Sequence, residues 1–140
     1  MTTALDSNVI AALWDRDPAL NLAAQVALDG AHERGGLVIS APVFSELMAC
    51  PGRSEPFIQS FMEETGIAVD WEIDEAIWRA AGRAFQSYAV RRKRHDGVPP
   101  RRILADFVIG AHAAAGGYQL LTFHARLYRA AFPELIVVDF

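Results

Sequence analysis

Five short apolar runs punctuate this chain: Thr3 to Leu5, Leu37 to Ile39, Ile67 to Val69, Gln119 to Leu121 and Leu135 to Val138. Each is too brief for a helix and mostly apolar on both faces, the pattern of a strand covered by helices above and below. The segments between them are long enough for crossover helices, so the runs predict an α/β fold with a central parallel sheet of about five short strands. A chain of 140 residues holds one such domain, spanning 1–140, with no room for a second. Hydrophobic residues at 52% supply the core, and charged residues at 21% are too few for a disordered chain.

Start and stop signals fit that plan. Val9 to Trp14 and Ala19 to Glu33 read as two helices, the second stopped by Gly35 and Gly36. Pro42 suits the first turn of a helix running to about Cys50, and Ser54 can cap the next, with Gly66 past its end. Asp74 can cap a longer helix while Ile73 packs on Trp78, and its apolar stripe runs to Tyr88 before a cationic cluster. His95 to Pro100 reads as a loop, Ile103 to Ala115 as an apolar helix closed by Gly116 and Gly117, and Ala125 to Ala131 as the last helix.

Several functions are excluded early. The single cysteine, Cys50, can close no intrachain disulfide and leaves no thiol cluster for zinc or redox chemistry. Lys93, the only lysine, sits in an arginine run, and no glycine-rich loop follows Leu5 or Ile39, so phosphate-cradling nucleotide sites do not fit. The opening MTTALDSNVI lacks the basic and apolar regions of a secretion signal, which points to the cytoplasm. Phe107 to Ala125 carries no formal charge, but glycines, histidines and Gln119 interrupt it, and no membrane span is expected.

Three carboxylates then need a reason. Asp106 is the one acid in a helix of Ile, Leu, Ala, Phe, Val and Gly, where an unpaired charge is costly unless a cation or hydrogen bonds compensate it. Asp6 ends the first strand, at the edge where parallel sheets place ligands, or simply caps the helix that follows. Glu46 lies on the short helix after the second strand and, alone, reads equally as a solvated position. Together they converge on one sheet edge. A few carboxylates with open water positions suit Mg²⁺ or Mn²⁺ acting on a phosphate, and hence a metal-assisted phosphodiester hydrolase.

These residues resemble the PIN-domain ribonucleases, and most closely the VapC toxins of toxin–antitoxin pairs. The resemblance runs through Leu5-Asp6-Ser7-Asn8-Val9, Ser45-Glu46-Leu47, the stretch from Ile103 to Ala113, and Leu120-Leu121-Thr122 through Tyr128, Arg129, Phe132, Pro133 and Leu135. It implies a Mg²⁺- or Mn²⁺-dependent endoribonuclease, frequent homodimers and a VapB-like antitoxin that occupies the active site. Carried over by position, Asp6, Glu46 and Asp106 are the metal-binding acids, with Ser7, Asn8 and Thr122 as supporting polar groups. His124 stands where the family usually has a further Asp; imidazole brings no negative charge, so this side chain is expected as an auxiliary ligand or just outside the ligand set, within the catalytic group.

The formal charge is −4, yet Arg91, Arg92, Lys93, Arg94, Arg101 and Arg102 place six of the thirteen cations within twelve residues. Arg91, Arg92, Arg94, Arg101 and Arg102 could track an RNA backbone, or the helix-end cations could simply complement a helix dipole. His112 is expected to pack or to face solvent. The alternative to a toxin nuclease is a PIN-fold protein that binds RNA or a partner, its cleavage weakened by His124; a small phosphohydrolase ranks below both.

Overall fold

The computed structural model describes residues 1–96 and 103–139, with the side chains of residues 94–96 left out of the description. Five strands, β1 (Thr3–Leu5), β2 (Leu37–Ser40), β3 (Ala68–Asp70), β4 (Gln119–Leu121) and β5 (Val137–Val138), form one sheet in the order β3-β2-β1-β4-β5. All four pairings are parallel. The expected α/β class and five-strand parallel sheet are what the chain adopts. β3 begins one residue later than its apolar run and continues to Asp70, and β5 keeps only the last two residues of Leu135 to Val138.

Helices α1 (Ser7–Leu13) and α2 (Pro18–Arg34) link β1 to β2; α3 (Ala41–Leu47) and α4 (Glu55–Thr65) link β2 to β3. Helices α5 (Glu75–Asp96) and α6 (Leu104–Ala115) lead to β4, and α7 (Ala125–Ala131) leads to β5. Because β1→β2→β3 steps one way along the sheet and β3→β4→β5 the other, right-handed crossovers put the two helix sets on opposite faces. α1 starts directly at Asp6 rather than at Val9, and α3 stops at Leu47, its last turn relaxing into residues 48–50. Ser54 Oγ accepts from Phe57 N–H, Asp74 Oδ1 from Ile77 N–H, and Gly66 closes α4 at φ 71°, a left-handed position that suits glycine.

The core lies between sheet and helices, with Leu5, Val9, Ile10, Ile39, Leu47 and Leu120 essentially sealed from solvent. A second apolar cluster joins α5 to α6 through Ile77, Ala81 and Ala84 against Phe107, Val108 and Ala111. Phe85 stacks on Phe107 at 4.8 Å and Tyr88 lies 5.5 Å from the same ring, so late α5 meets early α6 and the two helices run antiparallel. Gly110 is needed there: a β-carbon would strike the Phe132 ring beyond α7.

Register decides what the carboxyl edge carries. Leu5 pairs with Leu121 and Ala4 with Val38, so one further step sets Asp6 beside Thr122 and two further steps set it beside Ser40; Ser40 itself pairs with Asp70. Residues paired across neighbouring strands point to the same face. Thr122, Asp6, Ser40 and Asp70 therefore form one polar row at the end of an apolar sheet.

Candidate active site

Asp6 is 3% exposed, a carboxylate inside the protein. Its backbone is extended because it is the N-cap of α1, and Oδ1 accepts the Ser7 N–H at 2.8 Å. The capping reading of Asp6 is met by Oδ1, which leaves Oδ2 for other partners. Oδ2 accepts from Thr122 Oγ1 at 2.8 Å, Tyr128 Oη at 3.1 Å and Asn8 Nδ2 at 3.3 Å. Those donors are all neutral. They solvate the charge without cancelling it, which is how a buried carboxylate stays tolerable.

Thr122 is itself fully buried and held in place, accepting from His124 N–H at 2.9 Å and Asn8 Nδ2 at 3.4 Å. Asn8 Oδ1 accepts from Phe123 N–H at 3.2 Å, so one side chain on α1 stitches the end of β4 to the end of β1. The expected supporting groups Ser7, Asn8 and Thr122 are all in this network. Ser7 Oγ donates to Glu46 Oε1 at 3.1 Å and so links α3 to the same centre.

Electrostatics complete the set. Burial pushes the half-buried Glu46 carboxyl above its ordinary value; the Ser7 hydroxyl pulls it partly back, and the charges of Asp6 and Asp106 add to the push. The Tyr128 hydroxyl is raised far above its usual range by burial, by the charges of Asp6 and Asp106, by its bond to Asp6 and by Glu46. Asp106, half-buried in the first turn of α6, where a helix dipole favours an anion, therefore acts on the same point as the other two acids. Among the described residues no group of three or more His, Cys, Asp or Glu side chains is placed to hold a metal ion. What the three acids share is their field, since the charge of each acts on the Tyr128 hydroxyl.

The sequence matches the PIN domain family over residues 3–133. The chain belongs to that family. No curated protein sequence matches it. Solved structures with the same fold include VapBC-1 from nontypeable Haemophilus influenzae, 19% identical over 99% of this chain and 98% of that one, with TM-score 0.68. VapBC2 from Rickettsia felis, bound to a DNA fragment from its promoter, is 17% identical over 99% and 98%, with TM-score 0.66. FitAcB from Neisseria gonorrhoeae is 21% identical over 96% and 95%, with TM-score 0.64.

In this PIN domain the other sequence-derived residues fall in different places. His124 occupies the N-cap position of α7, makes no side-chain cap bond and is exposed; its contribution to the site is the backbone N–H that Thr122 receives. Arg91 and Arg92 lie half-buried on α5, which continues as helix through the cationic cluster to Asp96 instead of giving way to loop at His95. Since α5 and α6 are antiparallel, that end of α5 lies toward the end of α6 that bears Asp106. The side chain of Arg94, and Arg101 and Arg102 entirely, lie outside the described residues.

Two residues of this PIN domain escaped the sequence reading of the site. Tyr128, 1% exposed, belongs to the last helix, and its spacing of three from buried Ala125 marks the inward face; its hydroxyl then had to find a partner among buried acids. Asp70 sits at the end of β3, where Oδ2 lies 2.9 Å from Nε2 of the buried His112 and Oδ1 accepts from Glu72 N–H at 3.1 Å. His112 thus packs, as one of its two readings held, and pulls the Asp70 carboxyl below its ordinary value, against the effect of burial. Among the described residues no helix is long and apolar enough to cross a membrane.

Proposed function

We propose that this PIN domain is a metal-dependent endoribonuclease, the toxin of a toxin–antitoxin pair, which hydrolyses RNA phosphodiester bonds in the cytoplasm. The observation that carries the reading is a sealed carboxylate, Asp6, with only neutral donors around it and two further acids, Glu46 and Asp106, acting on the same point. Such a field rejects a fourth anion and welcomes a hard divalent cation. Among the described residues the acids are not already gathered into a ligand group; carboxylate oxygens are the donors that Mg²⁺ or Mn²⁺ take while keeping several waters, and a bound ion would draw the three together.

Asp6, Glu46 and Asp106 would hold the ion. When bound, it polarises a phosphoryl oxygen and lowers the pKa of a water near the scissile phosphorus. The chain's own residues do the rest. Thr122, Tyr128 and Asn8 fix Oδ2 of Asp6 and leave Oδ1 with one protein donor among the described residues. Ser7 orients Glu46. Arg91 and Arg92 on α5, with Arg94, Arg101 and Arg102 following them in the sequence, would guide the RNA backbone toward the acids.

A VapB-like antitoxin belongs to the same reading, supported by similar structures solved as VapBC and FitAB; a homodimer enters it from the family resemblance alone. The exposed His124, in place of a further acid, favours one other reading: an RNA- or partner-binding PIN domain with weakened cleavage. Cleavage-site mapping on total RNA in Mn²⁺ separates them. Discrete cuts lost in Asp106→Ala support the nuclease, while bound, intact RNA in both proteins supports the binder. Relief of cellular toxicity by the product of an adjacent small reading frame tests the pairing.

A further inference from the structure

The polar row at the carboxyl edge contains one member with nothing to do. Ser40 is 2% exposed, and its hydroxyl has no hydrogen-bond partner among the described residues. It stands at the N-cap position of α3, where a serine oxygen commonly accepts a backbone N–H, yet it makes no cap bond. A buried hydroxyl left dry is destabilising, and buried polar atoms without a protein partner ordinarily bond an ordered water.

Its neighbours indicate where such a water lies. On one side is Asp70, whose two oxygens are engaged by His112 and by Glu72 N–H. On the other is Asp6. It stands beside Ser40 in register, and its Oδ2 is taken up by Thr122, Tyr128 and Asn8, while Oδ1 has a single N–H, from Ser7, among the described residues. β2 ends in Ser40.

We propose that Ser40 is a positioning residue of the metal centre: its hydroxyl holds, through one ordered water, the hydration shell of the divalent ion that Asp6 binds. The inference rests on the nuclease reading above but assigns a residue outside the acid set. Groups that orient a metal's hydration or its ligands commonly matter to affinity without touching the ion.

The test compares Ser40→Ala and Ser40→Thr with the unaltered protein, measuring thermal stability in EDTA and Mn²⁺ affinity by calorimetry. In EDTA, Ser40→Ala should melt within about 4 °C of the unaltered protein, because the hydroxyl bonds no protein group among the described residues. Its Mn²⁺ affinity should fall about 10-fold, while Ser40→Thr, which keeps the hydroxyl, should stay within about 3-fold of the unaltered protein. Unchanged affinity in Ser40→Ala overturns the proposal, as does equal loss in both variants, or a melting temperature in EDTA lowered by more than about 4 °C, which would reveal a partner inside the fold. Asp6→Asn serves as the control. If it binds Mn²⁺ as tightly as the unaltered protein, the nuclease reading itself fails; if it loses the ion while Ser40→Ala keeps it, only the role of Ser40 does.

Discussion

β1 and β3 each end in an aspartate of the same polar row, yet the two are treated in opposite ways. Asp70 faces a buried histidine that can carry positive charge, and its carboxyl is held below the ordinary range mainly by that bond. Asp6 is more deeply buried and, among the described residues, receives four hydrogen bonds, all from neutral donors, while the charges of two further acids act on its partner Tyr128. One carboxylate has a partner that can carry positive charge. The other has none among the described residues. Burial of an acid is therefore a poor guide to function by itself; what discriminates is whether the fold supplies the counter-charge.

The comparison breaks most clearly at Asp6. Asp6→Asn keeps the shape and should cost at least about 100-fold in Mn²⁺-dependent RNA cleavage, measured with purified protein at saturating substrate. Its stability without metal should hold or rise, since a repelled charge is gone. Tyr128→Phe sharpens the point by removing one neutral donor: Mn²⁺ affinity should fall about 10-fold with the fold retained. Retention of full affinity would show that Oδ2 needs no such support.

At the other end the effects are smaller and fall on stability. Asp70→Asn should cost roughly 1 kcal/mol at neutral pH in urea titrations, a modest figure because the Asp70 side chain is 37% exposed and solvent screens it. Cleavage should stay within a few-fold. The folded Asp70 carboxyl lies below its ordinary 3.8, so its contribution is complete above that value and disappears as pH falls through the depressed one. Asp70→Asn should thus flatten the acid limb of the stability curve.

Glu46 gives the opposite sign. Its folded carboxyl is raised above 4.5, so the protein without metal is helped by this group below 4.5 and loses that help as pH rises through the raised value. Stability in EDTA should decline across that window and Glu46→Gln should remove the decline. Adding Mn²⁺ should reverse its direction, because the ion favours the charged form.

Much of this was legible in the chain. Apolar runs bounded by turn signals located all five strands to within one or two residues, because a strand covered on both faces leaves little choice of side chain. Asp6, Glu46 and Asp106 stood out as acids misplaced among apolar neighbours, and the helix carrying Asp106 was readable from its composition. What stayed hidden depends on register and helix rotation. Tyr128 meets Asp6 across 122 positions and His112 meets Asp70 across 42, and neither contact leaves a periodic mark in either segment. Ser40 carries no signal in the sequence, since the lack of a protein partner for its hydroxyl among the described residues is a property of the packed state. The helix carrying the arginines runs on through His95 and Asp96, which the turn-forming composition of the following stretch assigns to a loop.

Asp6 meets Thr122 across 116 positions and Tyr128 across 122. While the ribosome has yet to deliver β4 and α7, the first carboxylate has neither hydroxyl to hold it, and no nascent copy that stops short of Tyr128 can assemble this network. Whatever chemistry these groups support therefore waits on chain made long after Asp6 itself has left the ribosome.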